Sequence, residues 1–309
     1  MKNNEVINWL LDGDVVIQYQ VYRDLLDEDR KDLREKISKE GWGRKYLSLR
    51  NKDGHWGRRF YSPKWTSSHY TLIDLKNLGI SPDIREAKET IELIIQNNKI
   101  TDGGIHPEIK SNHSDVCVNG MFLNYACYFG TEEEKLESVV DFILSQQMKD
   151  GGFNCRSNKG GAEHSSLHTT LSVLEGILEF RINGYKYRIS ELRKAEFESK
   201  EFILRHKLYR SHRTGNIIKS DFLKFPYPPR WYYDIMKSMD YFQTSKSGYD
   251  ERMQDAIDEI IKKRRKDNTW SLQASHPGKV HFEIEKGGMP SRWNTLRAMR
   301  ILKYYKINY

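Results

Sequence analysis

Cysteine is scarce in this chain. Only Cys117, Cys127 and Cys155 stand among 309 residues, too few for a disulfide framework, and an odd count fits a reducing compartment. No apolar run approaches the roughly 20 residues that a membrane span needs. The opening stretch, MKNNEVINWLLDGDVV, has no succession of basic segment, apolar core and small-residue cleavage site, so a cytoplasmic protein is expected. Alternating apolar and polar residues are missing as well, which argues against a sheet. The basic residues come without any recognised nucleic-acid-binding motif, so no nucleic-acid partner is expected.

What is present is charge, aromatics and a repeat. Lysine and arginine number 51 against 43 acidic residues, a net charge of +8, which points toward an anionic partner. The densest basic run, IIKKRRKDN at 260–268, falls where a helix should end, and cations are favoured at that end.

The repeat organises the whole chain. An Ile/Leu-rich helical stretch is followed by a Gly turn, a short loop and a second helix. The clearest copy is SVVDFILSQQMKDGGFNCRSNKGGAEHSSLHTTLSVLEGILEF at 138–180. A second copy covers 89–130, and their Gly-Gly pairs begin at 103 and 151; Gly54 marks the turn of a third, at 46–80. Longer copies follow at 200–242 and 255–305, and a shortened pair opens the chain at 6–26. One helix hairpin cannot bury its apolar stripe alone, but stacked hairpins bury one another. The expected fold is therefore all-α: six hairpins in an (α/α)6 toroid around a central cavity, one domain over 1–309.

Three helix entries share a small residue or proline, a basic residue and tryptophan: YSPKWTSSHYTL (61–72), YPPRWYYDIM (227–236) and MPSRWNTLRAM (289–299). Trp65, Trp231 and Trp293 are thus expected at equivalent places on three inner helices. They serve either as packing wedges or as the wall of an aromatic pocket. In the pocket reading His69 and Tyr227 join the wall, and Lys64, Arg230 and Arg292 supply positive charge at its rim.

One short motif carries sharper chemistry. HSDVCVNG, at 113–120, places Asp115 two residues before Cys117 at a helix start. Helix cap plus buried thiol is the plainer interpretation. With the Q…GGF turn and the HSSLHTTLSVLEGI segment that follow, the region from 113 to 180 resembles the β subunits of protein prenyltransferases. Those are toroids of the squalene and terpenoid cyclase superfamily. The resemblance implies a catalytic zinc held by Asp115, Cys117 and His168, with a fourth position open to a thiol. It implies transfer of an isoprenyl group from its diphosphate to a protein or peptide thiol, with a partner subunit. The family's basic residues six and three positions before the Asp are Ile109 and Asn112 here, so a diphosphate would rely on Lys64, Arg156, Lys159, Arg230 or Arg292. His113 and His164 would stand near the mouth of such a site.

Other chemistries separate on single features. A squalene-type cyclase needs an Asp-x-Asp-Asp acid, and a metal-ionising terpene synthase needs an Asp-rich magnesium cluster; neither is present. A toroid without prenyl transfer would bind an isoprenoid or another apolar ligand on its Trp and Tyr wall. A carbohydrate-active (α/α)6 enzyme needs paired carboxylates, or Tyr and His as acid and base. No carboxylate pair stands out, whereas Tyr227, Tyr232 and His69 are available.

Overall fold

The computed structural model describes residues 3–107 and 110–308; Ile109 lies outside them. Thirteen α-helices carry the described chain: α1 (Asn3–Leu11), α2 (Val15–Leu25), α3 (Lys31–Lys36), α4 (Gly41–Ser48), α5 (Ser68–Leu78), α6 (Arg85–Asn98), α7 (Val116–Tyr128), α8 (Glu133–Ser145), α9 (Leu167–Ile182), α10 (Ile189–Arg205), α11 (Ile235–Thr244), α12 (Gln254–Lys262) and α13 (Arg292–Tyr304). The sole sheet among the described residues is a two-residue antiparallel ladder, β1 (Trp270–Ser271) with β2 (Pro290–Ser291). No described helix is long and apolar enough to cross a membrane. The fold class is all-α, of the (α/α)6-toroid kind expected from the repeat.

The chain divides into two compact units. The first comprises Met1–Leu49, Asn77–Ser81 and Arg205–Tyr309; the second comprises Arg50–Lys76 and Pro82–Leu204. In the second unit, outer and inner helices differ as their sequences dictate. Helix α6 buries Ala87, Thr90, Ile91, Ile94 and Asn98, one stripe at helical spacing. Helices α7 and α9 are apolar nearly all round and bury residues on every face, as helices enclosed by other helices must.

The Gly turns show how one hairpin is tied to the next. Gly103 and Gly151 adopt φ of 87° and 94°, the left-handed region that glycine enters without a steric cost. Their carbonyls accept from Ser138 Oγ at 3.0 Å and Ser199 Oγ at 2.9 Å. Before each Gly pair stands an aspartate that holds the approach to the next inner helix. Asp102 accepts from the Ser114 N–H at 2.6 Å and Oγ at 2.8 Å. Asp150 accepts from the Ser165 N–H at 2.9 Å and from its hydroxyl.

Just past the turn, a backbone N–H donates to a side chain near the start of the inner helix. The pairs are Trp56 to Ser68 Oγ at 3.0 Å, Ile105 to Asn119 Oδ1 at 2.7 Å, and Phe153 to Thr170 Oγ1 at 2.9 Å. In the first unit Trp270 donates to Thr295 Oγ1 at 3.0 Å in the same way. These bonds fix the register of the repeat. Cys117, His168 and Trp293 each stand two residues before the accepting side chain, as the second residue of α7, α9 and α13. By the same register Thr66, not His69, corresponds to His168, because Ser68 rather than a later residue takes the Trp56 N–H.

The three tryptophans do not share one helical position. Trp65 lies in a short 3-10 turn, Lys64–Thr66, before α5, and Trp231 lies in the loop before α11. Only Trp293 is inside a helix. The difference arises at the caps: Asp234 Oδ1 accepts from the Lys237 N–H at 2.8 Å, which starts α11 after Trp231. Ser291 Oγ accepts from Asn294 N at 2.9 Å, which starts α13 before Trp293.

Candidate functional site

In the second unit the starts of α5, α7 and α9 carry a set of reactive groups. His69 is fully buried, and its ring centroid lies 5.3, 5.3, 5.0 and 5.6 Å from those of Phe60, Tyr61, Tyr70 and Tyr125. Its Nδ1 shares a hydrogen bond with the Tyr125 hydroxyl at 3.3 Å, while the buried Nε2 has no hydrogen-bond partner among the described residues. Burial pushes the imidazole down to about 3, so it is neutral at ordinary pH. Beside it the Tyr61 and Tyr70 hydroxyls hydrogen-bond each other at 3.0 Å. Burial raises Tyr61 above the ordinary phenol range, outweighing the Tyr70 bond, which would lower it. The phenol therefore stays protonated. Lys64, on the same segment, is drawn down by burial and opposed by Cys117; its ammonium stands 4.7 Å from the Trp65 ring centroid.

Asp115 precedes α7, but its carboxylate does not cap the helix. It accepts from Lys159 Nζ at 2.7 Å and lies 3.8 Å from His106 Nε2. Cys117 is bonded to the third thiol of the region. Its N–H donates to Cys155 Sγ at 3.0 Å, and the two side chains hydrogen-bond each other. The Thr169 hydroxyl also donates to Cys155 Sγ, at 3.5 Å. The shared thiol bond raises Cys117, with burial adding to it, and lowers Cys155 against the opposing effect of burial.

These contacts decide the zinc reading. Asp115 is turned to two basic side chains and Cys117 to another thiol. Among the described residues no group of three or more His, Cys, Asp or Glu side chains is placed to hold a metal ion. Asp115, Cys117 and His168 thus do not form the expected ligand set. The spacing that suggested one is the spacing of the repeat, since Cys117 and His168 are equivalent positions in consecutive hairpins.

The remaining pocket candidates belong to the first unit. Tyr227 stacks on Trp293 at 4.3 Å with 14° between the planes, and Trp42 stacks with Trp293 at 6.1 Å. Trp231, Tyr232 and His276 form a second stack, with centroids 4.0 and 4.1 Å apart. Arg230 is buried and has φ of 57°. His281, edge-on to Tyr46 at 5.6 Å, is held down to about 4 by burial, with the Arg230 and Lys279 cations adding to it. Arg292 packs its guanidinium 4.6 Å from the Trp9 ring centroid and donates to the Trp9 carbonyl at 3.1 Å, so it braces α1.

Several of these groups escaped the sequence reading. Tyr61 stood inside the quoted YSPKW motif, its ring 5.5 Å from that of Tyr70 but nine residues away in the chain. Cys155 followed the GGF turn with nothing local to tie it to Cys117. Tyr46, Tyr125 and His281 carried no pattern at all.

No family model and no curated protein matches this chain. Among solved structures, a polysaccharide lyase matches it at a TM-score of 0.55 and 12% identity, over 100% of this chain and 99% of that one. That likeness shows a shared fold. It also overturns the resemblance to prenyltransferases and terpenoid cyclases, which neither the comparisons nor the geometry of 113–180 supports. The zinc-dependent prenyl transfer expected from that resemblance is withdrawn, and with it the isoprenyl diphosphate and the thiol acceptor.

Proposed function

We propose that this chain is a carbohydrate-active α/α enzyme acting on an acidic polysaccharide by β-elimination. The observation that carries the proposal is the whole-length likeness to a polysaccharide lyase. The Tyr and His chemistry that such a reaction uses in place of paired carboxylates adds to it.

Elimination at a uronate passes the proton α to the carboxylate to a base, here solvent water, while the C–H electron pair forms the C4=C5 double bond and the glycosidic C4–O bond breaks with its pair on the departing oxygen. A phenol held protonated, as Tyr61 is, can give its proton to the departing oxygen. Tyr70, bonded to it at 3.0 Å, orients the hydroxyl and can resupply the proton. Lys64 offers a cation to the substrate carboxylate, whose charge must be offset before the α-proton becomes acidic enough to leave. The net charge of +8 favours approach of a polyanion.

The test is incubation with a panel of uronate-containing polysaccharides, following the ultraviolet absorbance of the unsaturated product. Absorbance that grows with wild type and falls by roughly 100-fold or more in Tyr61→Phe supports the assignment, within the range for loss of an acid/base group. New reducing ends without that absorbance would make the enzyme a hydrolase instead. Neither signal on any acidic or neutral glycan would overturn the proposal.

A further inference from the structure

A two-thiol site is built into the second unit, and no part of the elimination reading uses it. Cys117 lies in the first turn of α7, while Cys155 comes from the loop at 153–166 between α8 and α9. Both are half-buried, whereas Cys127 is fully buried. Two hydrogen bonds converge on the Cys155 sulfur: the Cys117 N–H to Sγ at 3.0 Å and Thr169 Oγ1 to Sγ at 3.5 Å. Both place donors on one sulfur, which is what stabilises a thiolate there. The same loop is held to the α7 start by Lys159 to Asp115 at 2.7 Å and by Asn158 Nδ2 to the Ser114 carbonyl at 2.9 Å. The two sulfurs are therefore neighbours because the loop is anchored around them.

We propose that Cys155 and Cys117 are a peroxide-reactive pair, Cys155 the attacking thiol and Cys117 the resolving one, closing to a disulfide that fastens the 153–166 loop to α7. The Cys155 thiolate attacks one oxygen of a hydroperoxide, the O–O bond breaks, and Cys155 becomes a sulfenic acid as water or an alcohol leaves. The Cys117 sulfur then attacks that sulfur, forming the S–S bond and releasing the hydroxyl as water with the proton Cys117 gives up. Two electrons pass from the thiols to the peroxide. With hydrogen peroxide the products are one disulfide and two waters.

The experiment uses the full chain, limiting hydrogen peroxide, capping of remaining thiols under denaturing conditions, and mass analysis of the intact protein and its peptides. The expected result is loss of two hydrogens, one capped thiol (Cys127), and a Cys117–Cys155 cross-linked peptide that a dithiol reductant reverses. In Cys117→Ser the reaction should stop at a sulfenic acid on Cys155, captured by a 1,3-diketone. In Cys155→Ser thiol loss should slow by about tenfold or more, as for a thiol without the stabilising donors. Separate oxidation of Cys117 and Cys155 in wild type, with no cross-linked peptide, would overturn the proposal, and that result needs no variant to fold. Unslowed thiol loss in a folded Cys155→Ser protein would overturn it too.

Discussion

Helices α7 and α9 of one unit meet backbone to backbone, whereas α11 and α13 of the other are joined by charge. A methyl group added at Gly120 would lie 2.7 Å from the Ser172 carbonyl oxygen and from Val173 N, and one added at Gly176 would strike the Gly120 carbonyl. Nothing larger than hydrogen fits there. In the other unit Asp240 on α11 accepts from Arg297 Nε of α13 at 3.2 Å and from Arg300 Nη2. Arg300 reaches on to Asp24 of α2 at 3.0 Å. Burial would raise Asp240, but Arg300 and Arg297 hold it below the usual carboxylate range. The glycine crossing constrains volume and ignores charge; the ionic crossing does the reverse. One hairpin pattern is thus packed, within each unit, by a different kind of interaction.

The largest effect expected from breaking this contrast is at Asp240. Asp240→Ala takes the carboxylate from the buried Arg297 and leaves the partly buried Arg300 with Asp24 alone, and it should cost about 3 kcal/mol in urea unfolding. A loss below about 1 kcal/mol would mean that water screens the pair as it does at a surface.

Acid sharpens the contrast next. His69 is neutral in the folded protein down to about 3, while the unfolded chain takes up its proton near 6.5. Its folded pKa is depressed, so protons favour the unfolded chain, and stability falls as pH drops below 6.5. The loss attributable to His69 should reach about 3 kcal/mol near pH 4. In His69→Gln that part of the slope should vanish; an unchanged slope would place the acid sensitivity elsewhere.

The crossing of α7 and α9 should respond to size alone. Gly176→Ala is expected to cost about 2 kcal/mol through overpacking, in spite of alanine's better helix propensity. Alanine at Gly248, where an added methyl meets nothing within 4 Å, is the matched control and should be near neutral.

The smallest effects fall on the shared turns. Asp102→Ala and Asp150→Ala each remove two hydrogen bonds at the approach to an inner helix, and each should cost about 1–2 kcal/mol. Equal losses would show that the two turns do the same work, as their matching bonds imply.

The fold was more legible than the site. Gly-Gly pairs at 103 and 151 mark turns because a left-handed residue is needed where the outer helix stops, a local requirement visible in the chain. The spacing of α6's buried residues is equally local. The site reading failed where equivalence was mistaken for chemistry: Cys117 and His168 recur because hairpins recur, and the repeat alone puts them in matching first turns. His69 and His168 look alike in their motifs, but the Trp56 to Ser68 bond sets a register in which Thr66, three residues earlier than His69, matches His168. The tryptophans of three similar motifs split between turn and helix because Asp234 and Ser291 cap at different offsets from them.

The amino-acid sequence by itself determined the helical hairpins, their turns and the basic, aromatic character of the chain. Each follows from residue spacing within a few helical turns. Tertiary structure alone decided that Cys155 meets Cys117, that Lys159 and His106 face the Asp115 carboxylate, and that four aromatic rings surround His69. Cys117 with Cys155, Asp115 with Lys159 and His69 with Tyr125 join different hairpins, while the other pairings join a loop to a helix start within one hairpin. In both cases the partners are selected by packing and desolvation, which no local pattern encodes.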